Sequence, residues 1–305
     1  MRKFLLLTVV AGIFGIFLLH SCGTCSRRQA VDEVTIELSD WFLDSAQVEL
    51  ARQVLYALPT PVELSMLIRN SGIPWEPALL NDPARASQYM TGQKMALNFG
   101  VYLTNLTYAG LFEQAQTVLR YKAALSHMID RMGLQSAINV NTMQILEQNI
   151  NDRDMVLRII SEIYADCAAF LDENERYSIV LAVLAGGWVE SMHIATSSLD
   201  ENLLSNEERI RQLVTDQVLT FDLMWQAMTQ LSEATGVDEL MNNFSALAHI
   251  FDRIGVHHEP NSVLSIFEDA DLSEIASTNV IDVTAKDFEN IKTQIQILRD
   301  NFTNI

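Results

Sequence analysis

Two apolar segments of this chain resemble each other: Gly100-Val-Tyr-Leu-Thr-Asn-Leu-Thr-Tyr-Ala109 and Gly186-Gly-Trp-Val-Glu-Ser-Met-His-Ile-Ala195. They begin 86 residues apart, and Tyr102 and Trp188 both stand two places after the first glycine. Each segment lies in an apolar stretch that is followed by an amphipathic one. The likeness fits either an ancient duplication of a helical unit or chance similarity between two apolar helices.

The glycines in these segments indicate how the helices pack. Glycine inside a helix costs about 1 kcal/mol relative to alanine. It is tolerated where a second backbone approaches closely, because it has no Cβ atom. We therefore predict tight helix crossings at Gly100, Gly186 and Gly187, each beside a large aromatic ring.

Most of the chain from Ser45 onward is patterned as amphipathic helices, with apolar residues three and four positions apart. The segment Thr60-Pro61-Val62-Glu63 is typical of a helix start, because it combines an N-cap, a proline at the first helical position and a glutamate that can close a capping box. The predicted helices are 45–58, 61–71, two between 84 and 132 that meet near Gly110, two between 136 and 171 that part near Asn151, 176–199, 206–234, 238–254 and one after Thr284.

The last of these helices has the narrowest apolar face. Its apolar residues alternate steps of three and four, and they are Phe288, Ile291, Ile295, Leu298 and Phe302. We expect this seam to dock on the protein's own core, and the alternative is a coiled coil with a partner. The predicted fold is an all-α, irregular multi-helix array, with at most two very short strands at 34–38 and 279–283 and an internal helical repeat as an open alternative.

The N-terminus has the order of a bacterial export signal. Arg2 and Lys3 precede an uncharged apolar run, Phe4 to Leu19, which is short for a bilayer span of about 20 residues. The segment Leu19-His20-Ser21-Cys22 resembles a lipobox, although His20 departs from the usual small or apolar residue. The resemblance implies cleavage before Cys22 and acylation of its thiol, with palmitate among the lipids. The alternative is an uncleaved signal anchor.

These features predict three parts of the chain: a signal peptide over 1–21, a tether over 22–44 and a single α-helical domain over 45–305. The composition is acidic, with 20 Lys and Arg against 39 Asp and Glu and a formal charge of −19. Such a charge argues against a nucleic-acid partner, whose phosphates need basic residues. It also argues against a polybasic membrane-binding face. The expected partners are the membrane, through the N-terminal lipid, and an envelope protein.

A search for catalytic patterns finds no G-x-S-x-G elbow, zinc helix, P-loop or EF-hand loop, so we expect no catalytic residue, no cofactor and no metal ion. Glu190 and His193 form one E-x-x-H pair, whereas a di-iron bundle needs two. We favour a structural, hydrogen-bonded histidine. The alternative is a ligand pocket formed by Tyr102, Trp188, Glu190 and His193. Cys167 is expected to be a small buried apolar residue.

Three stretches of the chain carry a further resemblance: Tyr56-Ala-Leu-Pro-Thr-Pro-Val-Glu63, Lys94-Met-Ala-Leu-Asn-Phe-Gly-Val-Tyr102 and Leu184-Ala-Gly-Gly-Trp-Val-Glu190. They resemble a family of helical lipoproteins of unknown function from Gram-negative anaerobic bacteria, over most of the chain from Tyr56 onward. The resemblance implies export and a helical fold, and it implies no activity. The longer starch-binding lipoproteins of such bacteria are a poorer fit, because they contain several true helical repeats.

The sequence therefore predicts a lipid-anchored envelope protein of the outer membrane. The periplasmic side is favoured over the cell surface, because Gly23 follows the modified cysteine without an acidic run. We expect the protein to be a non-enzymatic binding or scaffold protein. The alternative is a small-molecule-binding protein or enzyme with a pocket between the Gly100 and Gly186 helices.

Overall fold

The part of the chain that the structure describes is predominantly α-helical. This computed structural model describes residues 45–70, 72–138, 141–198, 208–254 and 283–305, which all belong to one compact unit, and these ranges contain no strand. The predicted all-α class is confirmed. The helices are α1 (Ser45–Ala57), α2 (Pro61–Asn70), α3 (Gly92–Leu111), α4 (Ala115–Met132), α5 (Thr142–Gln148), α6 (Arg153–Glu173), α7 (Tyr177–Ser197), α8 (Glu208–Gln230), α9 (Val237–Ile254) and α10 (Ala285–Thr303).

Side-chain caps begin two of the helices where the sequence predicts them. At α2, Thr60 Oγ1 accepts a hydrogen bond from the Glu63 amide (3.2 Å), and Glu63 Oε2 accepts one from the Thr60 amide (2.7 Å). At α10, Thr284 and Asp287 form the same reciprocal pair. Each pair satisfies backbone N–H groups that have no partner inside the helix.

Two predicted helix starts are too early. The helix expected from residue 84 begins at Gly92, where Thr91 Oγ1 accepts a hydrogen bond from the Lys94 amide (3.3 Å). Residues Pro83–Gln88 form a separate 3-10 helix, capped by Asp82. The helix expected from residue 136 is reduced to the short α5. Both errors follow from apolar residues in turns, which imitate the helical pattern.

Helices α3 and α7 form the centre of the unit. All residues from Tyr177 to Thr196 are buried, as are those from Met95 to Leu111. Helix α7 is long and apolar enough to cross a membrane, the one such helix in the described ranges, but the fold buries its whole apolar segment. It is therefore a core helix of this domain. Helices α2, α4, α6 and α10 pack around the central pair, and α1 packs on α8.

The crossing of α3 and α7 depends on glycine, as predicted for Gly100 and Gly186. A Cβ atom on Gly100 would overlap the carbonyl oxygen of Val183, and one on Gly186 would overlap that of Leu97. Gly100 and Gly186 correspond under the 86-residue offset, as do Leu97 and Val183, so the two helices meet through matching residues. Gly187 is less tight, with its nearest atoms at 3.4 Å.

Helix α10 docks on the core of its own domain, as expected. All five residues of its seam are at most 1 % exposed, and the helix packs on α7 and α9. Cys167 is also buried as predicted, and burial raises the pKa of its thiol to about 12. The predicted signal peptide, the tether with Cys22, the strand at 34–38 and nearly all of the strand at 279–283 lie outside the described residues.

Candidate functional site

The two aromatic residues of the predicted pocket are packed inside the core. Trp188 donates a hydrogen bond from Nε1 to Gln217 Oε1 (2.9 Å), and its ring contacts Phe221 and Phe244. The Tyr102 hydroxyl donates to the carbonyl oxygen of Asp82 (2.6 Å). Because both polar atoms bond to protein groups, these side chains have the partners that buried aromatic residues require.

Glu190 is held by a cation from the C-terminal helix. Arg299 donates from Nε to Glu190 Oε2 (2.6 Å) and from Nη2 to Oε1 (3.1 Å), and Nη2 also donates to the Leu79 carbonyl (2.8 Å). The Glu190 side chain is 0 % exposed and the Arg299 side chain 13 %. Burial opposes the charge on Arg299, but Glu190 raises the pKa of the guanidinium above its usual value. The pair joins α7, α10 and the segment before α3.

His193 lies one helical turn from Glu190 and is buried as well. Its Nδ1 lies 3.3 Å from Ser197 Oγ, within hydrogen-bond distance. Burial lowers the pKa of the imidazole, so the ring is neutral at pH 7. In the described residues, no group of three or more His, Cys, Asp or Glu side chains is placed to hold a metal ion. The geometry at Glu190 and His193 therefore favours a structural role.

A different region offers a concave surface. A cleft of about 730 Å³ lies between α1, α2, α6 and the start of α7. Neither Tyr102, Trp188, Glu190 nor His193 lines it, so the pocket expected around those four residues stays a prediction. The cleft is lined by Arg52, Leu55, Tyr56, Leu58, Thr60, Val62, Glu63, Met66, Ser161, Tyr164, Ala165, Ala168, Ala169, Asp172, Tyr177 and Val180.

The walls of this cleft are largely apolar, and small residues of α6 make room for it. Ala165, Ala168 and Ala169 contribute only methyl groups where larger side chains would fill the space. Tyr56 and Met66 stand at its edge and are 62 % and 41 % exposed, which is high for large apolar side chains. A volume between roughly 300 and 1,000 Å³ is typical of sites for small molecules.

A polar cluster closes one side of the cleft. Arg52 donates from Nε to Asp172 Oδ1 (2.9 Å) and from Nη2 to the Tyr177 hydroxyl (3.1 Å). The Tyr56 hydroxyl donates to Asp172 Oδ2 (3.2 Å). The hydrogen bond to Tyr177 and the nearby Asp172 carboxylate raise the pKa of Arg52. The cluster is satisfied internally, and it joins α1 to the end of α6.

Other polar groups of the cleft have fewer hydrogen-bond partners in the described residues. The hydroxyls of Ser161 and Tyr164 make no hydrogen bond within the described residues. Burial raises the pKa of the Tyr164 phenol, so this hydroxyl is protonated at neutral pH. Glu63 uses Oε2 to cap α2, and Oε1 has no hydrogen-bond partner in the same part of the chain. These groups can bind a polar ligand atom.

Sequence reasoning missed the cleft residues, although weak signals were present. Tyr56 and Met66 put large apolar side chains outside the core faces of α1 and α2. The run Ala165-Asp-Cys-Ala-Ala169 puts several small residues on adjoining positions of α6. Neither feature is decisive, since the partners of these positions come from distant parts of the chain.

No family model, curated protein or solved structure matches this chain.

Proposed function

We propose that this chain is a non-enzymatic binding protein of the bacterial envelope, anchored by lipid at Cys22, whose ligand is a small amphiphilic molecule held in the cleft. The observation that carries this function is the cleft itself. Its volume of about 730 Å³ and its apolar walls suit the burial of a small apolar body. A few polar groups at its edges can orient one polar end.

The lining favours binding over catalysis. It contains neither histidine nor cysteine among the described residues. In the described part of the chain, no base is hydrogen-bonded to the Ser161 hydroxyl, whereas a nucleophilic serine needs one. Asp172 is already engaged by Arg52 and Tyr56. These groups can form hydrogen bonds with a ligand, but they are not arranged as a catalytic site.

The anchor is supported by the lipobox-like segment ending at Cys22 and by the resemblance to helical lipoproteins. Two or more acyl chains hold a protein firmly at a membrane, because each buried methylene contributes about 0.8 kcal/mol. The proposed location is the outer membrane, on the periplasmic side. The change Cys22→Ala should abolish labelling by palmitate and leave the precursor uncleaved. Normal processing of this variant would refute the anchor.

Binding can be tested with N-phenyl-1-naphthylamine, a neutral apolar dye whose fluorescence rises in apolar sites. The test uses residues 22–305 with Cys22→Ala, which retain the whole compact unit. One dye molecule should bind per chain. The change Ala168→Phe places a ring in the cleft. It should lower the affinity for the dye at least about tenfold, because the ring occupies volume in which the dye would bury its apolar surface.

The matched control is Ala285→Phe, at the exposed first residue of α10. It adds the same ring far from the lining and should leave dye affinity unchanged. Equal effects of the two changes, or no saturable binding by the unchanged chain, would refute the cleft as the ligand site.

A further inference from the structure

The charges of the cleft are not balanced. Three charged side chains line it: Arg52, Glu63 and Asp172. Arg52 and Asp172 neutralise each other at 2.9 Å, and Arg52 also lies 3.4 Å from Glu49. Glu63 has no basic partner within the described residues. The lining therefore carries one uncompensated negative charge.

The unpaired carboxylate is held in place by its own helix. Glu63 Oε2 accepts the Thr60 amide at 2.7 Å, which fixes the side chain at the start of α2. The helix N-terminus carries roughly half a positive charge, which stabilises the carboxylate without cancelling it. The second oxygen, Oε1, has no hydrogen-bond partner in this part of the chain and is free to accept one from a ligand.

Neutral oxygens and aromatic rings accompany Glu63 in the lining. Within the described residues, the hydroxyls of Ser161 and Tyr164 make no hydrogen bond and can accept one from a ligand. The rings of Tyr56 and Tyr164 offer π faces, which attract cations. An ammonium group has three N–H donors and no acceptor, so it matches a set of acceptors with one negative charge. A carboxylate or phosphate would face Glu63, and the one cation among the described lining residues, Arg52, is already paired with Asp172.

We propose that the ligand is a cationic amphiphile, with an apolar body in the cleft and a primary ammonium group at Glu63. This assignment rests on the proposed binding function and specifies the chemical class of the ligand. The apolar body lies against the alanines of α6 and against Leu55, Leu58, Val62 and Val180. The ammonium head group lies near Glu63 and the hydroxyls of Ser161 and Tyr164.

Three probes of one chain length separate charge from apolar burial: decylamine, decan-1-ol and decanoate. A primary alkylamine is protonated at pH 7, as a lysine side chain is. Each probe is titrated against the dye-loaded chain, residues 22–305 with Cys22→Ala, below its micelle concentration. Decylamine should displace the dye at a concentration about tenfold lower than decanoate, with decan-1-ol between them, since one ion pair of this kind distinguishes the head groups.

The change Glu63→Gln removes the charge and keeps the helix cap, because glutamine serves equally well at this position of a capping box. Because Glu63 is solvent-exposed, the change should weaken decylamine up to about fivefold and leave decan-1-ol unchanged. The matched control is Glu162→Gln, an exposed carboxylate of α6 that does not line the cleft. It should change decylamine affinity less than twofold, an effect of long-range attraction alone.

The outcomes distinguish the two proposals. If decanoate binds as tightly as decylamine, or if Glu63→Gln leaves decylamine affinity unchanged, the cationic ligand class is refuted and the binding function stands. An equal loss in Glu63→Gln and Glu162→Gln also refutes it, because the attraction would then be diffuse. If none of the three probes displaces the dye, the cleft is not an amphiphile site, and the proposed function fails together with the ligand class.

Discussion

Helix α7 takes part in two regions that use small residues in opposite ways. At its middle, Gly186 lets the backbone of α3 come into direct contact, and the space of a missing side chain is filled by Leu97. At its start, Tyr177 and Val180 face a cleft in which three alanines of α6 leave space unfilled. A small residue therefore marks either a closely packed crossing or a cavity, depending on what lies opposite.

The regions also differ in how they treat charge. The ion pair between Glu190 and Arg299 is removed from solvent beside the crossing, with both carboxylate oxygens engaged. In the cleft, Arg52 and Asp172 are partly exposed, and Glu63 is left without a basic partner in the described residues. The first arrangement joins α7 to α10 inside the core, whereas the second leaves a group that can bind a ligand.

The largest expected effect is that of Gly186→Ala at the crossing of α3 and α7. The new methyl group would overlap the backbone of α3, which cannot move without separating two buried helices. We expect a loss of about 4 kcal/mol in the free energy of unfolding, measured by urea denaturation with circular dichroism. Gly187→Ala is the control, because its nearest atoms stand at ordinary contact distance. Equal tolerance of both changes would contradict the close crossing.

The buried ion pair gives the next largest effect. Arg299→Met should destabilise the domain by about 3 kcal/mol, because it leaves the Glu190 carboxylate buried without a cation. The double variant Glu190→Leu, Arg299→Met should recover at least half of this loss, since no unpaired charge remains. A double variant that is less stable than Arg299→Met alone would show that the charge is not the cause.

The same enlarged side chain in each region tests how much space is available there. Ala185→Leu inserts three carbon atoms into the filled core and should cost about 2 kcal/mol. Ala168→Leu inserts them into the cleft and should change the free energy of unfolding by less than about 0.5 kcal/mol. Both substitutions replace alanine with a good helix former, so the difference reports the space available. Similar losses at the two sites would indicate that the cleft is closed in solution.

The smallest expected effect concerns pH. Burial lowers the pKa of His193, whose surroundings include Glu190, Arg299 and Asp300. As the pH falls through about 6.5, the unfolded chain binds a proton that the folded protein does not, so stability present above this pH is lost below it. His193→Gln should remove up to about 1 kcal/mol of the change between pH 7.5 and 5.5. If the free energy of unfolding changes with pH by the same amount in the variant and in the unchanged chain, His193 is not the cause of the loss.

Much of the fold could be predicted from local patterns. The start of α2 at Thr60 and the start of α10 at Thr284 follow from short-range caps, which depend on residues three places apart. The start of α3 could not be predicted in the same way. The segment from Pro83 to Gln88 contains two alanines, which favour an α-helix, but it forms a 3-10 helix before Thr91, whose hydroxyl caps α3.

Local patterns say less about the candidate site than about the helices. The pattern of Glu190 and His193 indicates that both share a helix face, and the structure agrees. Their burial depends on Arg299, which lies 109 residues beyond Glu190, and no local pattern indicates that partner. The cleft likewise brings together Arg52 and Asp172, which are 120 residues apart.

Local features of the amino-acid sequence predict the helical class, the caps of α2 and α10 and the need for close contact at Gly100 and Gly186, because these depend on neighbouring residues or on the lack of a Cβ atom. The packing of the helices determines which backbones meet at those glycines, which cation neutralises Glu190 and where a cavity is left. Such properties depend on groups far apart in the chain, whose contacts form only when all the helices pack together.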